Sequence, residues 1–216
     1  MDQIIHKFNE IKYNPQHPSQ MQKYMDVLFR YADGCEHITE MGVAVVCSTW
    51  AFLAAKPKRL VSVDIDHLCP VDEVRDAAKR IGVDFEFVAG DTNHGVTAEL
   101  NKHCPWLNDD QHRGMWEQEG GIPYYNCEET DLLFIDTYHH YASLKREFEL
   151  HPSKARKFII LHDTISFGYK GEGDDDRGLQ PAVNEFLETN PQWVKDWEDT
   201  EWPGLIVLKR VGPDPQ

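Results

Sequence analysis

The chain has no apolar run long enough to cross a membrane, and it is poor in basic residues. It contains 22 Lys and Arg against 37 Asp and Glu, a formal net charge of −15 at pH 7. Because nucleic-acid binding depends on Lys and Arg that neutralise phosphates, this balance argues against a nucleic-acid partner. A membrane-spanning helix needs about 20 apolar residues, so no membrane partner is expected either.

Cysteines are few, and none of them belongs to a CxxC pair. The five are Cys35, Cys47, Cys69, Cys104 and Cys127. An odd, scattered set is typical of reduced thiols rather than of a disulfide framework. The first residues, MDQIIHKFNE, lack the apolar centre of a signal peptide. We therefore expect a cytoplasmic protein.

Length and composition predict a single globular domain. The chain has 216 residues, of which 41% are hydrophobic and 27% charged, values that are ordinary for a folded domain. Residues 1–34 are predicted to form an N-terminal helical extension, with Ser19 and Gln22 in a capping-box pattern. Residues 35–216 would form the domain itself, and residues 104–130 would be an insertion or a substrate-binding loop.

Short apolar runs alternate with helical segments along the domain. The runs are HITE, RLVSVDID, VDFEFVAGD, DLLFID and KFIILHD, followed by WVKDWEDT and GLIVLKR around Pro203-Gly204. Alternation of this kind predicts parallel strands, and the last two runs predict an antiparallel hairpin. We therefore expect an α/β fold: a Rossmann-like, doubly wound, mostly parallel seven-stranded sheet with an antiparallel C-terminal hairpin strand.

Polar side chains follow the strands DLLFID and KFIILHD. Asp136 closes the first, and His139 and His140 follow it; His162 and Asp163 close the second. Because parallel neighbours bring their carboxyl ends to one edge of a sheet, these residues should share one crevice. The next segment, ISFGYKGEGDDDRG, lacks the spacing of a calcium loop and is predicted to be solvent-exposed.

Four motifs lie at these strand ends: EMGVAVVCST, LVSVDID, VAGDT, and the pair IDTYHHY with ILHDT. With them, residues 35–210 resemble the class I S-adenosylmethionine-dependent methyltransferases. Within that class the chain is most similar to the metal-dependent O-methyltransferases that act on small molecules. This group includes the cephalosporin-hydroxylase-type proteins and the macrolide-sugar O-methyltransferases, and it resembles methyltransferase family 24.

The resemblance implies a set of contacts to S-adenosylmethionine. It assigns them to Glu40, Gly42, Ser48, Thr49, Asp64, Asp91 and Asp136. A tight turn at Gly42 would let backbone N–H groups approach the carboxylate of the cofactor. Asp64 would bind the ribose, with Asp66 as the alternative, and Asp91 would lie beside the adenine amino group. Val46 replaces the second glycine of the family, so a Cβ is expected to narrow the pocket.

The same resemblance implies a metal site and a base. Asp136, His162 and Asp163 occupy the positions that hold a divalent cation, Mg²⁺ or Mn²⁺. Carboxylate oxygens suit Mg²⁺, whereas an imidazole suits it less well. His139 occupies the position of the catalytic general base, which would take the proton of a hydroxyl.

The function implied is metal-assisted O-methylation of a small-molecule hydroxyl, sugar or phenol-like. Two alternatives stay open: a catalytically inactive binding protein on the same fold, which Val46 favours, and a metal-dependent hydrolase that uses the His/Asp cluster. The sequence is also compatible with a homo-oligomer. It identifies neither the methyl acceptor nor the metal.

Overall fold

Seven strands form one mixed sheet in the computed structural model, which describes residues 3–67, 69–93, 122–172 and 177–213. The strand order is β3-β2-β1-β4-β5-β7-β6. The strands are β1 (His37–Met41), β2 (Arg59–Asp64), β3 (Asp84–Ala89), β4 (Thr130–Ile135), β5 (Ala155–His162), β6 (Trp193–Asp199) and β7 (Leu205–Arg210). Segment 94–121 lies outside the described residues, and with it most of residues 104–130, which were predicted to be an insertion or a substrate-binding loop.

The predicted sheet architecture is confirmed. Strands β1 to β5 pair in parallel, whereas β7 is antiparallel to both β5 and β6. The central strands β1 and β4 are buried along their whole length, because helices cover both faces of the sheet. The C-terminal hairpin therefore extends the sheet beyond β5, with β7 inserted next to β5.

The helices flank the sheet in two groups. They are α1 (Gln3–Tyr13), α2 (Met25–Ala32), α3 (Cys47–Ala54), α4 (Asp72–Ile81), α5 (Tyr141–Leu150) and α6 (Leu179–Thr189), with short 3₁₀ turns at Gln20–Tyr24 and Pro152–Lys154. Helices α1 to α4 share one apolar cluster with one face of the sheet, and α5 and α6 share the other. None of the helices in the described ranges has the length and apolarity of a membrane span.

The N-terminal segment differs from its predicted start. Ser19 Oγ accepts a hydrogen bond from Met21 N at 3.2 Å, and this contact begins a 3₁₀ turn, so α2 starts only at Met25. The side chain of Gln22 does not return to Ser19 as a capping box requires. It donates instead to the carbonyl of Asn14 at 2.6 Å. This hydrogen bond joins the 3₁₀ turn to the end of α1, and the N-terminal extension packs into the core beside α3.

Candidate active site

A cavity of about 410 Å³ opens at the carboxyl ends of the central parallel strands. This volume lies within the range of small-molecule sites in proteins, roughly 300–1,000 Å³. Its position agrees with the rule that open α/β sheets bind ligands outside the carboxyl ends of their strands. The wall consists of residues 63–66, 90–93 and 136–139 together with Gly42, Ala44, Ser143, Glu147 and Glu172.

The turn after β1 fits closely against the end of β4. Gly42 has a φ of 89°, and a Cβ added to it would lie 1.9 Å from the carbonyl oxygen of Asp136. Its N–H donates to the carbonyl of Val63 at 2.9 Å. Only glycine can occupy this position, because both the backbone conformation and the close approach exclude a side chain.

Val46 does not narrow the cavity, contrary to the expectation from the sequence. It adopts the left-handed conformation with a φ of 58° immediately before α3. Its side chain is 8% exposed and packs into the apolar cluster of α1 to α4. The missing second glycine is therefore replaced by a valine whose Cβ points into the core, not towards a ligand.

Glu40, Ser48 and Thr49 lie beneath the turn and are not part of the cavity wall. Glu40 is fully buried, and its Oε2 accepts hydrogen bonds from Thr49 Oγ1 at 2.8 Å and from Ser62 Oγ at 2.5 Å. Burial raises the pKa of Glu40 to about 7. In the structure these residues support the turn from below, and a direct contact with a cofactor remains a prediction.

Asp64, Asp66 and Asp91 all border the cavity, at the ends of β2 and β3. Asp64 Oδ2 accepts the N–H groups of Val43 at 2.7 Å and Ala44 at 3.0 Å. Its Oδ1 accepts the N–H of Asp66 at 2.8 Å. Asp64 thus fixes the turn after β1, and Asp66 is a second carboxylate on the same wall.

A polar network on α5 and the segment after β3 was not foreseen. Glu147 accepts hydrogen bonds from Thr92 and Thr137, each at 2.8 Å, and burial raises its pKa to about 7. Asn93 Nδ2 donates to Ser143 Oγ at 2.6 Å, whereas its buried Oδ1 has no partner among the described residues. The available signal was Glu147 itself, a charged residue on the apolar face of α5 beside Phe148.

Two imidazoles bridge two carboxylates at the ends of β4 and β5. His139 Nε2 lies 3.1 Å from Asp136 Oδ1 and 3.3 Å from Asp163 Oδ2. His162 Nδ1 lies 3.1 Å and 3.5 Å from the same two oxygens. The sequence predicted that these four residues would meet, and they do. His140, by contrast, caps the start of α5, where its Nδ1 accepts the N–H of Ala142 at 3.2 Å.

The electrostatics of this cluster follow from its hydrogen bonds. Burial alone would lower the pKa of His139, but the hydrogen bonds to Asp136 and Glu172 outweigh burial and raise it to about 10. The pKa of His162 is raised in the same way against burial by Asp136. Burial raises the pKa of Asp136, but the two histidines outweigh it and hold that pKa well below its usual value. Imidazolium groups therefore compensate the two carboxylates.

Asp136, His139 and Asp163 form the group best placed to hold a cation. Each offers one ligand atom, and these atoms lie within 4.8 Å of one another. Asp163 has a φ of 56°, a backbone conformation that is uncommon outside glycine and often occurs at functional sites. The predicted set contained His162, which is 5% exposed and packs edge-on against Tyr24. The structure thus brings His139 into the group.

No protein-family model and no curated protein matches the sequence. Solved structures do match. The O-methyltransferase TomG from Streptomyces achromogenes, in complex with SAM, is 13% identical at a TM-score of 0.56, covering 98% of this chain and 91% of TomG. An O-methyltransferase from Bacillus cereus, in complex with SAH, is 16% identical at 0.54, covering 96% and 89%. The N-methyltransferase NodS from Bradyrhizobium japonicum is 11% identical at 0.53, covering 89% and 96%. The chain has the class I methyltransferase fold, as predicted.

Proposed function

We propose that this protein is an S-adenosylmethionine-dependent, divalent-metal-assisted O-methyltransferase of a small-molecule hydroxyl. One observation carries the proposal. A single cavity is bordered both by the turn at Gly42 with the acidic ends of β2 and β3, and by Asp136 and His139, two members of the Asp136–His139–Asp163 group. A donor site and a reaction site would then share one enclosure, as methyl transfer requires.

The wall of the cavity fits the cofactor in three places. The turn at Gly42 lies in the cavity wall, so close to the end of β4 that only glycine fits, and its backbone rather than a side chain borders the cavity. Asp66 and Asp64 offer carboxylates to ribose hydroxyls, and the buried, unpartnered Oδ1 of Asn93 beside Asp91 suits an adenine amino group. When bound, S-adenosylmethionine supplies a methyl group that is already activated on a sulfonium, so the protein has only to orient and enclose it.

The group at the ends of β4 and β5 fits a divalent cation. Asp136 and Asp163 are half-buried carboxylates that converge, and two such groups repel unless a positive charge lies between them. Imidazolium protons supply that charge in their present arrangement, and a metal ion could take their place. When bound, the cation would lower the pKa of an acceptor hydroxyl and neutralise the oxygen anion formed from it.

His139 is the predicted acceptor of the hydroxyl proton. This role requires a neutral imidazole, so the pKa of His139, which its present partners raise to about 10, has to fall to near neutrality. A positive charge beside Nε2 lowers the pKa of an imidazole by repulsion. In the balanced reaction the acceptor oxygen gains the methyl group, the C–S bond breaks with its electron pair on sulfur, and the hydroxyl proton leaves to the base.

The charge of the wall favours a neutral acceptor. Its carboxylates are Asp64, Asp66, Asp91, Asp136, Glu147 and Glu172, and no Lys or Arg is found among the described lining residues. A phosphorylated or otherwise anionic acceptor would be repelled. A sugar or a phenol-like compound meets this condition. The matching structures include both O- and N-methyltransferases, so the oxygen acceptor rests on the cation group and not on the fold.

Thermal unfolding with S-adenosylmethionine tests the proposal against its rivals. At a concentration of about 100 times Kd, a ligand stabilises the folded state by roughly 2.7 kcal/mol. For a chain of this length that predicts a rise in Tm of about 5–10 °C. A metal-dependent hydrolase would show no rise. A rise that is accompanied by no divalent-cation binding would favour the inactive binding protein, and no rise at all would refute the proposed cofactor.

A further inference from the structure

Glu172 borders the cavity, although its segment was predicted to be a solvent-exposed loop. Its Oε2 lies 3.1 Å from His139 Nδ1, and its backbone N–H donates to the carbonyl of His139 at 2.9 Å. Beyond the undescribed residues 173–176, the carbonyl of Arg177 accepts the N–H of Tyr141 at 3.0 Å. The described residues on both sides of that gap are therefore attached to the segment that carries His139.

The ring of His139 is fixed on three sides. Nδ1 faces Glu172, Nε2 faces Asp136 and Asp163, and the ring stacks on Phe167 with centroids 4.6 Å apart and an angle of 9°. Rotation of the ring would break all these contacts. These contacts hold the ring in one orientation, in which Nε2 is the nitrogen that faces the two carboxylates.

We propose that His139 is itself a ligand of the divalent cation through Nε2, and that Glu172 is a positioning residue that accepts the hydrogen of Nδ1. Histidines that bind metals almost always donate their second N–H to a carboxylate, a carbonyl or water, which fixes the tautomer and makes the ligand more basic. The inference rests on the proposed function and replaces the role of His139 as base, because a coordinated Nε2 cannot accept a proton. The acceptor hydroxyl would then lose its proton to water.

His162 lacks this arrangement. Its Nδ1 also faces Asp136 and Asp163, but its Nε2 is buried with no hydrogen-bond partner among the described residues. His162 therefore lies on the core side of the two carboxylates and can hold them in place by hydrogen bonds from Nδ1. Of the two histidines, only His139 has a carboxylate behind the nitrogen that does not face the group.

The donor set of one imidazole and two carboxylates also indicates the metal. Mg²⁺ prefers oxygen ligands, whereas an imidazole nitrogen favours transition metals. We therefore expect Mn²⁺ to bind more tightly than Mg²⁺, and we expect His139→Ala to reduce that difference.

Titration with Mn²⁺, followed by electron paramagnetic resonance, tests both roles without an activity assay. Glu172→Gln should weaken Mn²⁺ binding by about 10- to 100-fold, the usual cost of removing the partner of a ligand histidine. His139→Ala should weaken it at least as much and should abolish the nitrogen modulation of the Mn²⁺ echo signal. Glu149→Gln, on the exposed side of α5 and paired with Arg146 at 2.7 Å, is the matched control and should bind like the wild type.

Three results would overturn the inference, and they can be told apart. Wild-type affinity in His139→Ala with the nitrogen signal retained would make His162 the ligand and return His139 to the role of base. Unchanged affinity in Glu172→Gln would remove the positioning role. Failure of the wild type to bind Mn²⁺ would refute this inference together with the cation in the proposed function, while protection by S-adenosylmethionine would still stand.

Discussion

Val46 is a β-branched residue in the left-handed region, where a Cβ costs about 1–2 kcal/mol. The family to which the sequence is similar has glycine at this position. The structure shows what valine provides instead: a buried side chain that joins α3 to the apolar cluster of the N-terminal helices. The backbone strain is thus offset by apolar contact, and the path of the turn is kept.

This balance predicts an unusual order of stabilities. Val46→Ala loses the buried methyl groups but keeps the strained Cβ, whereas Val46→Gly loses both. We expect the glycine variant to be more stable than the alanine variant by about 1 kcal/mol, the reverse of the order in a helix interior. Urea unfolding of the two variants measures the difference. An alanine variant more stable than the glycine variant by about 1 kcal/mol, the order of an unstrained helix interior, would mean that position 46 carries no strain.

At the residue scale, the sequence located the groups that end strands. Asp136 and Asp163 were predicted at this edge because the carboxyl ends of parallel strands coincide, whereas Gly42 and Asp64 were predicted from the resemblance of their motifs to those of the methyltransferases. Glu172 could not be predicted in the same way. The contact between Glu172 and His139 joins positions 33 residues apart. Glu172 lies in a loop rich in acidic residues and glycine, and a loop has no periodicity from which the side chains that face the cavity could be predicted.

At the scale of elements, two carboxylates are fully buried, one beneath the turn after β1 and one in the cavity wall. Glu40 belongs to β1 and Glu147 to α5, and burial raises the pKa of each from 4.5 to about 7. The folded state therefore binds their protons more tightly than the unfolded state does. Both groups are neutral in both states below pH 4.5. As the pH rises from 4.5 towards 7, only the unfolded chain ionises, so stability falls.

Replacing Glu40 should remove its part of this pH dependence. A shift of this size corresponds to a free energy of unfolding on the order of 3 kcal/mol per group. We expect the stability of Glu40→Gln relative to wild type to rise by about 2–3 kcal/mol between pH 5 and pH 7.5. Urea unfolding across that range gives the values, with Glu149→Gln as the exposed control. Parallel curves for Glu40→Gln and wild type would show that Glu40 ionises normally.

Elements were predicted to different extents. Strands β1 to β5 follow from the apolar runs of the sequence. Helix α4 ends at Gly82 in the left-handed conformation, which glycine adopts without strain. Helix α6 begins at Leu179 and carries Pro181 in its first turn, where the missing N–H of proline is not needed. The insertion of β7 beside β5 was not evident from local pattern, since register and order depend on long-range pairing.

At the scale of the whole molecule, the sheet order brings segments far apart in the chain to one cavity. Because β1 and β4 are neighbours, the turn at Gly42 touches Asp136, and because β4 and β5 are neighbours, Asp136 faces Asp163. The carboxylates of the cavity wall and the net charge of −15 both attract cations and repel anionic compounds. The fold and the charge of the chain therefore both favour a cation and a neutral acceptor at this edge of the sheet.

Calorimetric titration of Mg²⁺ and Mn²⁺ into the protein saturated with S-adenosylhomocysteine measures whether Asp136 and Asp163 share a metal ion. We expect one divalent cation per chain, and Asp136→Asn and Asp163→Asn should each weaken its binding by tenfold or more, about 1.4 kcal/mol. Glu149→Gln should not. No cation bound by the wild type, or wild-type affinity in both Asp variants, would contradict the shared metal site and with it the metal-assisted mechanism.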